Sequence, residues 1–501
     1  MSGPQQRSAL RFAAYLLVSG VVLLYAAAAA GARSSALPVQ VRLGSTGRPI
    51  PGTFLGLSFE VNELSSYIQE GPAFDRAISL LRPRSGGPMV VRLGGKSADD
   101  AYWDAPTLGT PSWVFEIGNN WLAQLSSLAK RDRLEVTLDL NLAVHSPAME
   151  ASFAKSASDA LGPRLLALAI GNEPDLFRFQ PGLDVEKVPD TIAGTLPLWT
   201  QAYSPTEYRS DYMAYARALT QAVPGLALEG PETTSPASAW LDAVAGLRQL
   251  RPRSLTVHRY PLSTCWARNS PFYPRISSLL AEWASAGLAD GLRGAIKLAR
   301  RHGESLWVSE MNSVSCGRTP GVERSFGTAL WAPDALFELV RAGVDGVNWH
   351  VRPLTFNAPF QLRAKAIEPM PELYGLAVFA QMLGPDARLA AVHVSSPSVV
   401  HLKAWAVISR RTTSVLLINK GWFTARVTLR AGVDRDVARI QRLLAPSVRS
   451  DSGVTFGGRW IAGDGRWHGR ELIELARRRA GAYDVVVPAY SAALVRIGSA
   501  R

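Results

Sequence analysis

Short apolar runs recur between residues 54 and 351, each followed by a loop and a segment whose apolar positions have helical spacing. Eight runs can be marked, at 54–60, 89–95, 134–142, 165–173, 227–232, 254–261, 306–312 and 346–351. They are apolar at successive positions rather than alternate ones, which is the pattern of strands buried on both faces. Such strands, separated by helices, form parallel sheets covered by those helices. The helical spacing is clearest at 121–130, 208–222, 237–250, 288–302 and 332–342. Eight repeats of this unit predict a closed (β/α)₈ barrel over 50–385 rather than an open doubly wound sheet. No glycine loop of the phosphate-cradling kind follows the first strand, which argues against a dinucleotide-binding fold. Beyond about Gly384 the texture changes, and the runs at 399–407, 414–419, 425–429 and 483–497 are β-rich and parted by Gly, Asp and Ser. They predict an antiparallel β-sandwich over 386–501, and a short strand at 39–43, within an N-terminal stretch 34–49, can join it.

The first residues differ again. Arg7 and Arg11 precede an apolar run from Phe12 to Ala32 that ends in alanine and glycine. A positive flank, an apolar stretch and a small-residue exit read as an export signal over 1–33. The run, about 21 residues long, could also stay uncleaved as a membrane anchor. Either way the body of the chain is expected to be secreted or otherwise outside the cytoplasm. Composition adds a large core, with 47% hydrophobic and 19% charged residues. The net charge of +13 changes the picture little, because only eight of the 54 cationic side chains are lysine and the arginines are scattered. A nucleic-acid binder would cluster them in a stripe with interleaved aromatics. No Cys–His spacing suggests a metal, and no cofactor or obligate protein partner is expected. Cys265 and Cys316 fall in the loops after the sixth and seventh strands. Adjacent parallel strands lie about 4.8 Å apart, so these loops can bring two Cα atoms within the roughly 4.4–6.8 Å that a disulfide needs. Export would keep that bond oxidised.

In a (β/α)₈ barrel the active site sits at the C-terminal ends of the strands. Those ends are dense in polar groups, among them Glu60, Arg92, Asp139, Asn141, Asn172, Glu232, His258, Tyr260 and His350. Asp139 and Glu232 are as open to a structural role as to a functional one. Glu173 and Glu310 stand apart, because each closes an apolar strand, in "LLALAIGNEPDLF" and "SLWVSEMNSVSCG". Cleaving a glycosidic bond with retention takes one carboxylic acid to protonate the leaving oxygen and one carboxylate to attack the anomeric carbon, held about 5–5.5 Å apart. The fourth and seventh strand ends face each other across a barrel mouth, which suits that separation. Burial beside a second carboxylate raises the pKa of the acid, as its role requires.

An Asn-Glu pair ending the fourth strand and a Glu ending the seventh resemble the clan of (β/α)₈ retaining glycosidases. The strings "RLGGKSAD", "IGNEPDLF" and "SFGTALWAPDALFELVRAGVDGVNWH" more closely resemble glycoside hydrolase family 79, which holds the heparanases and microbial β-glucuronidases. The resemblance spans roughly residues 50–385 and implies an exo-acting β-glycosidase with a carbohydrate substrate. It assigns Glu173 as acid/base, Glu310 as nucleophile, Asn172 as the partner of the sugar 2-hydroxyl and Tyr260 as the residue that orients the nucleophile. Glu60, Asn141 and His350 match sugar-hydroxyl contacts less closely. The β-glucuronidases of that family bind the sugar carboxylate through a tyrosine and a glycine soon after the nucleophile. Here the glycine is Gly317, but Ser315 stands where the tyrosine is expected, with Arg318 beyond as a further anion partner. Glucuronide, a neutral sugar handled by the same mechanism, and a non-catalytic carbohydrate-binding surface protein therefore all stay open.

Overall fold

The structure, a computed structural model, describes residues 36–104, 114–177, 203–247, 250, 252–352, 357–410 and 412–498. The export or anchor segment expected at 1–33 lies outside the described residues. No helix among the described residues is long and apolar enough to cross a membrane.

The chain opens with β1 (Leu37–Pro49) and then builds a closed barrel of eight parallel strands. These are β2 (Leu55–Glu60), β3 (Met89–Gly94), β4 (Leu134–Leu140), β5 (Leu165–Ile170), β6 (Leu228–Thr233), β7 (Pro252–Arg259), β8 (Ser305–Met311) and β9 (Gly346–His350). Each pairs with the next, and β9 closes on β2 through Val347 opposite Leu55 and Trp349 opposite Leu57. Strands β2, β3 and β6 are buried at every position. The continuous apolar pattern therefore comes from strands covered by helices outside and by packed side chains inside. A register shift between Val308 and Glu310 on β8, opposite His258 of β7, turns the strand end just where Glu310 leaves it.

Around the barrel run α1 (Pro72–Leu80), α2 (Asn119–Arg131), α3 (Pro147–Leu161), α4 (Pro205–Ala222), α5 (Arg293–His302), α6 (Phe326–Ala342) and α7 (Pro371–Met382). The expected helix 237–250 is only Ser238–Asp242, followed by turns. Gly246 there has φ +74°, and its N–H donates to Glu304 Oε1 at 2.9 Å, a loop bond in place of a helical one. The expected helix 288–302 is two pieces, Ala286–Asp290 and α5, parted by a turn. Helix α6 begins six residues before its apolar spacing suggested and carries Pro333 inside it. Every residue from Phe326 to Val340 is buried, so packing on all sides outweighs the helix-breaking tendency of the proline.

The β-rich region forms a ten-stranded, mostly antiparallel sheet. Its main strands are β10 (Arg388–Ser395), β11 (Leu402–Ser409), β12 (Thr412–Asn419), β13 (Ala425–Arg430), β14 (Val437–Leu444), β15 (Tyr483–Val487) and β16 (Ser491–Gly498). Strand β1 is inserted between β10 and β13, antiparallel to the first and parallel to the second. Alternation gives the sheet two faces. Ala404, Ala406, Val415, Leu417, Ala493 and Val495 pack into a core of its own with Val39 and Val41. Trp405, Val407, Leu416, Ile418 and Leu494 point the other way and join the barrel core.

Candidate active site

The strand ends meet around Arg92 of β3, an arginine with no exposed surface. Its guanidinium donates to Ser58 Oγ (2.9 Å), Glu310 Oε2 (2.8 Å), Asn172 Oδ1 (2.8 Å), Asp139 Oδ1 (3.2 Å) and Glu232 Oε2. A buried cation needs this much compensation. The neighbouring Gly94 and Gly95 leave room for two of the carboxylates. A Cβ on Gly94 would fall 1.7 Å from Asp139 Oδ2, and one on Gly95 would fall 2.7 Å from the Glu60 carboxyl. This is the physical content of the Gly-Gly in "RLGGKSAD". The serine of that string, Ser97, donates its N–H (3.0 Å) and its hydroxyl (2.6 Å) to Glu60 Oε2.

Glu173 follows β5 in a left-handed turn, with φ +46°, and its N–H donates to Glu232 O at 3.1 Å. Such a conformation costs a non-glycine residue roughly 1–2 kcal/mol and directs the side chain away from the path of the strand. His258 lies between two carboxylates, Nδ1 2.8 Å from Glu173 Oε1 and Nε2 3.3 Å from Glu232 Oε2. Tyr260 donates its hydroxyl to Glu310 Oε1 at 2.7 Å and lies 2.7 Å from His350 Nδ1. His350 Nδ1 is in turn 3.2 Å from Glu310 Oε1, and its Nε2 is 3.8 Å from Glu60 Oε1. One oxygen of Glu173, one of Glu310 and a ring nitrogen of His258 all lie within 4.8 Å of one another.

Electrostatics separates the two glutamates. Burial raises the pKa of Glu173, and Glu310 adds to the rise against the opposing pull of His258. Burial pushes Glu310 the same way, but His350, His258 and Arg92 outweigh it and hold the carboxyl well below its ordinary value. Burial would also strip His258 of its proton, yet Glu310, Glu173 and Glu232 keep it, with a pKa of about 10. The arrangement therefore offers a carboxyl that tends to hold a proton beside one that is ionised. Glu173, His258 and Glu310 also have the spacing of a divalent-ion site. Both ring nitrogens of His258 are engaged by carboxylates, Nδ1 by Glu173 and Nε2 by Glu232.

Glu60, Asn172, Glu173, Tyr260, Glu310 and His350 thus come together. Asn141 does not, because its amide donates to Asp99 O and Ala101 O, each at 2.8 Å, while its oxygen accepts from Val144 N–H. Both of its N–H groups and one lone pair of its oxygen therefore tie down loops, so the loop backbone and not the two glutamates is where its amide is bonded. Ser315, Gly317 and Arg318 lie on the turn after β8, where Ser315 O accepts from Thr264 N–H at 3.1 Å. Arg318 sits near Glu323. Cys265 and Cys316 form a disulfide, with Cα atoms 5.7 Å apart, that joins this turn to the loop after β7. The sequence pattern left Arg92 and His258 without a role. The signal for Arg92 was present in "MVVRLG", where a charge interrupts a strand buried on both faces.

A closed parallel barrel followed by a mostly antiparallel β-sheet domain is a fold shared with solved structures of glycoside hydrolases. A 4-O-α-L-rhamnosyl-β-D-glucuronidase from Fusarium oxysporum superposes with a TM-score of 0.73 at 18% identity, covering 91% of this chain and 100% of that one. A family 51 α-L-arabinofuranosidase from Bifidobacterium longum gives 0.65 at 15% identity, covering 92% and 99%. A family 30 subfamily 8 xylanase from Clostridium acetobutylicum gives 0.53 at 14% identity, covering 92% and 100%. No family model matches the sequence, and no curated protein matches it.

Proposed function

We propose that the protein is a retaining exo-β-glycosidase, with Glu173 as acid/base and Glu310 as nucleophile. The observation that carries this reading is the pair of carboxylates with oxygens within 4.8 Å and opposed proton affinities. That spacing is close to the retaining separation of about 5–5.5 Å and far from the 6.5–9.5 Å that leaves room for an inverting water. In the first step Glu310 attacks the anomeric carbon while Glu173 gives its proton to the leaving oxygen, so the C1–O bond breaks and a glycosyl ester forms on Glu310. In the second step Glu173, now a carboxylate, takes a proton from water as that water attacks C1 and frees Glu310. Arg92 and Tyr260 each hold one oxygen of Glu310, and Arg92 engages the Asn172 oxygen, which turns its NH₂ toward a sugar hydroxyl.

For the sugar we infer a β-glucuronide, supported by the resemblance to family 79 and by the glucuronidase among the structural neighbours. The carboxylate would be met by the turn at Ser315, Gly317 and Arg318. Ser315, in place of a tyrosine, favours a second reading with a neutral sugar. Domain limits of 50–385 for the catalytic barrel and 386–501 for the sheet belong to the same proposal, as does export directed by the apolar run from Phe12. The test is turnover of aryl β-glucuronide beside β-glucoside, β-galactoside and β-xyloside, with the anomer of the first-formed product read by NMR. Release of the β-anomer, lost in Glu310→Ala, supports the mechanism. Release of the α-anomer, or turnover that survives in Glu310→Ala, overturns it.

A further inference from the structure

Away from the Glu173–Glu310 mouth, a cleft of about 500 Å³ opens where the barrel meets the sheet domain. Among the groups that line it are Trp460, Tyr374, Arg324, Glu368, Asp451 and the hydroxyl residues Ser452 and Thr455. Its volume is in the range of small-ligand sites, which favour such domain junctions. The walls are fixed by backbone bonds. Phe326 N–H donates to Ser450 O (2.7 Å) and Gly327 N–H to Val448 O (3.0 Å), which pins the turn before Asp451 onto the start of α6. Ile367 N–H donates to Gly463 O (2.8 Å), and Ile461 N–H to the Tyr374 hydroxyl (2.9 Å).

Trp460 contributes little to any core, since 48% of it is exposed. One edge of its indole rests against the chain at Gly469, where a Cβ would fall 2.5 Å from Cζ3. The ring is thus held in place while much of its surface borders an open cleft. Charge around it is balanced. Glu368 takes both Arg324 and Arg363, and Asp451 offsets the remaining positive charge. A polyanion gains nothing from such a surface. An uncharged sugar ring fits it, because its C–H face meets the negative face of the indole, while its hydroxyls, donors and acceptors at once, match Ser452, Thr455 and the paired charges.

We propose that this cleft is a second carbohydrate site, separate from the Glu173–Glu310 centre, which holds an uncharged stretch of a glycan by stacking one sugar ring on Trp460. The proposal concerns binding alone and stands apart from the glycosidase reading. It is tested on the full chain by electrophoresis through native gels containing xylan, mixed-linkage β-glucan, arabinogalactan or heparin. Retardation by at least one neutral polysaccharide is expected, weakened about ten-fold or more in Trp460→Ala and less in Trp460→Phe. Far-UV circular dichroism, melting temperature and aryl-glycoside turnover of the variants should match the parent. Retardation by heparin alone, by no polysaccharide, or equally in Trp460→Ala overturns the proposal. So does sedimentation showing a dimer that Trp460→Ala dissolves, which would assign the cleft to a second copy of the chain. Absence of aryl-glycoside turnover in the parent would count against the catalytic reading and leave the gel result to decide this one.

Discussion

At the scale of single side chains, the histidines decide how the two glutamates share protons. Glu310 is ionised because His350, His258 and Arg92 overcome its burial, so removing His350 raises the Glu310 pKa. If Glu310 must be ionised to react, the acidic limb of kcat/KM in His350→Ala moves to higher pH. His258 lowers the Glu173 pKa against its burial, so His258→Asn raises it and the basic limb moves to higher pH as well. Each limb reports an apparent value of a coupled set rather than of one residue. A pH–rate profile of each variant checks both signs, and a limb that moves down contradicts the assignment. Arg92 belongs to this scale too. Arg92→Leu leaves Asp139, Glu232 and Glu310 buried without their cation, and should cost on the order of 3–5 kcal/mol in urea denaturation. The two glutamates were legible in the sequence because each ends an apolar strand in a distinctive string. The part played by Arg92 was not, because it depends on which strand ends lie within reach of β3. Asn141 shows the converse, a residue at a strand end whose N–H groups are both taken by loop carbonyls, Asp99 O and Ala101 O, which no sequence pattern reveals.

At the scale of elements, strands were easier to read than helices. A run apolar at successive positions has few other meanings in a chain of alternating units, and the ends of strands β2 to β9 lie within three residues of the expected runs. Helices α1, α3 and α7 were not marked, and each has Pro at its first turn. Helix α7 is buried almost throughout, so its sequence lacks the polar face that periodicity depends on. Loops were legible where chemistry constrains them. Cys265 and Cys316, 51 residues apart, staple the loops after β7 and β8, between which Leu262 also pairs with Val314 and Ser263 with Ser315. The chain-entropy contribution of such a bridge is on the order of 4 kcal/mol, and measured values often fall short of it. The double variant Cys265→Ser/Cys316→Ser should therefore melt several degrees lower. If the bridge steadies the turn at Ser315 for substrate, KM will rise by a larger factor than kcat falls. An unchanged KM would confine the disulfide to stability.

At the scale of the whole molecule, the barrel and sheet are joined by a buried ionic contact set in an apolar interface. Asp334 of α6 accepts from Lys420 Nζ (2.7 Å), Trp405 Nε1 (2.8 Å) and Ser285 Oγ (2.7 Å), and Lys403 reaches Glu338 one turn along at 2.7 Å. Burial alone would raise the Asp334 pKa, but Lys420 and Lys403 hold it below its ordinary value. Lys420→Met leaves that carboxylate buried without its nearest cation, a loss of about 3–5 kcal/mol. Asp334→Leu/Lys420→Met removes both charges and should recover much of the loss, since no ion is left stranded. Full additivity of the two single changes would show instead that the groups do not act as a pair. The apolar part of the junction makes a stronger claim. Helix α6 is buried from Phe326 to Val340, and Trp405, Val407, Leu416 and Ile418 of the sheet belong to the same core. Only Gly384 and Pro385 stand between the end of α7 and the approach to β10, too little for a flexible linker, but the sequence does not tell which face of the sheet meets the barrel. A chain ended at Gly384 would bare this face of the barrel, a contiguous apolar patch of the kind that drives aggregation. It should be found in the insoluble fraction or as large oligomers on size exclusion. Recovery of that shortened chain as a monomer with parental kcat/KM would show that the barrel needs neither the pair at Asp334 nor the surface around it.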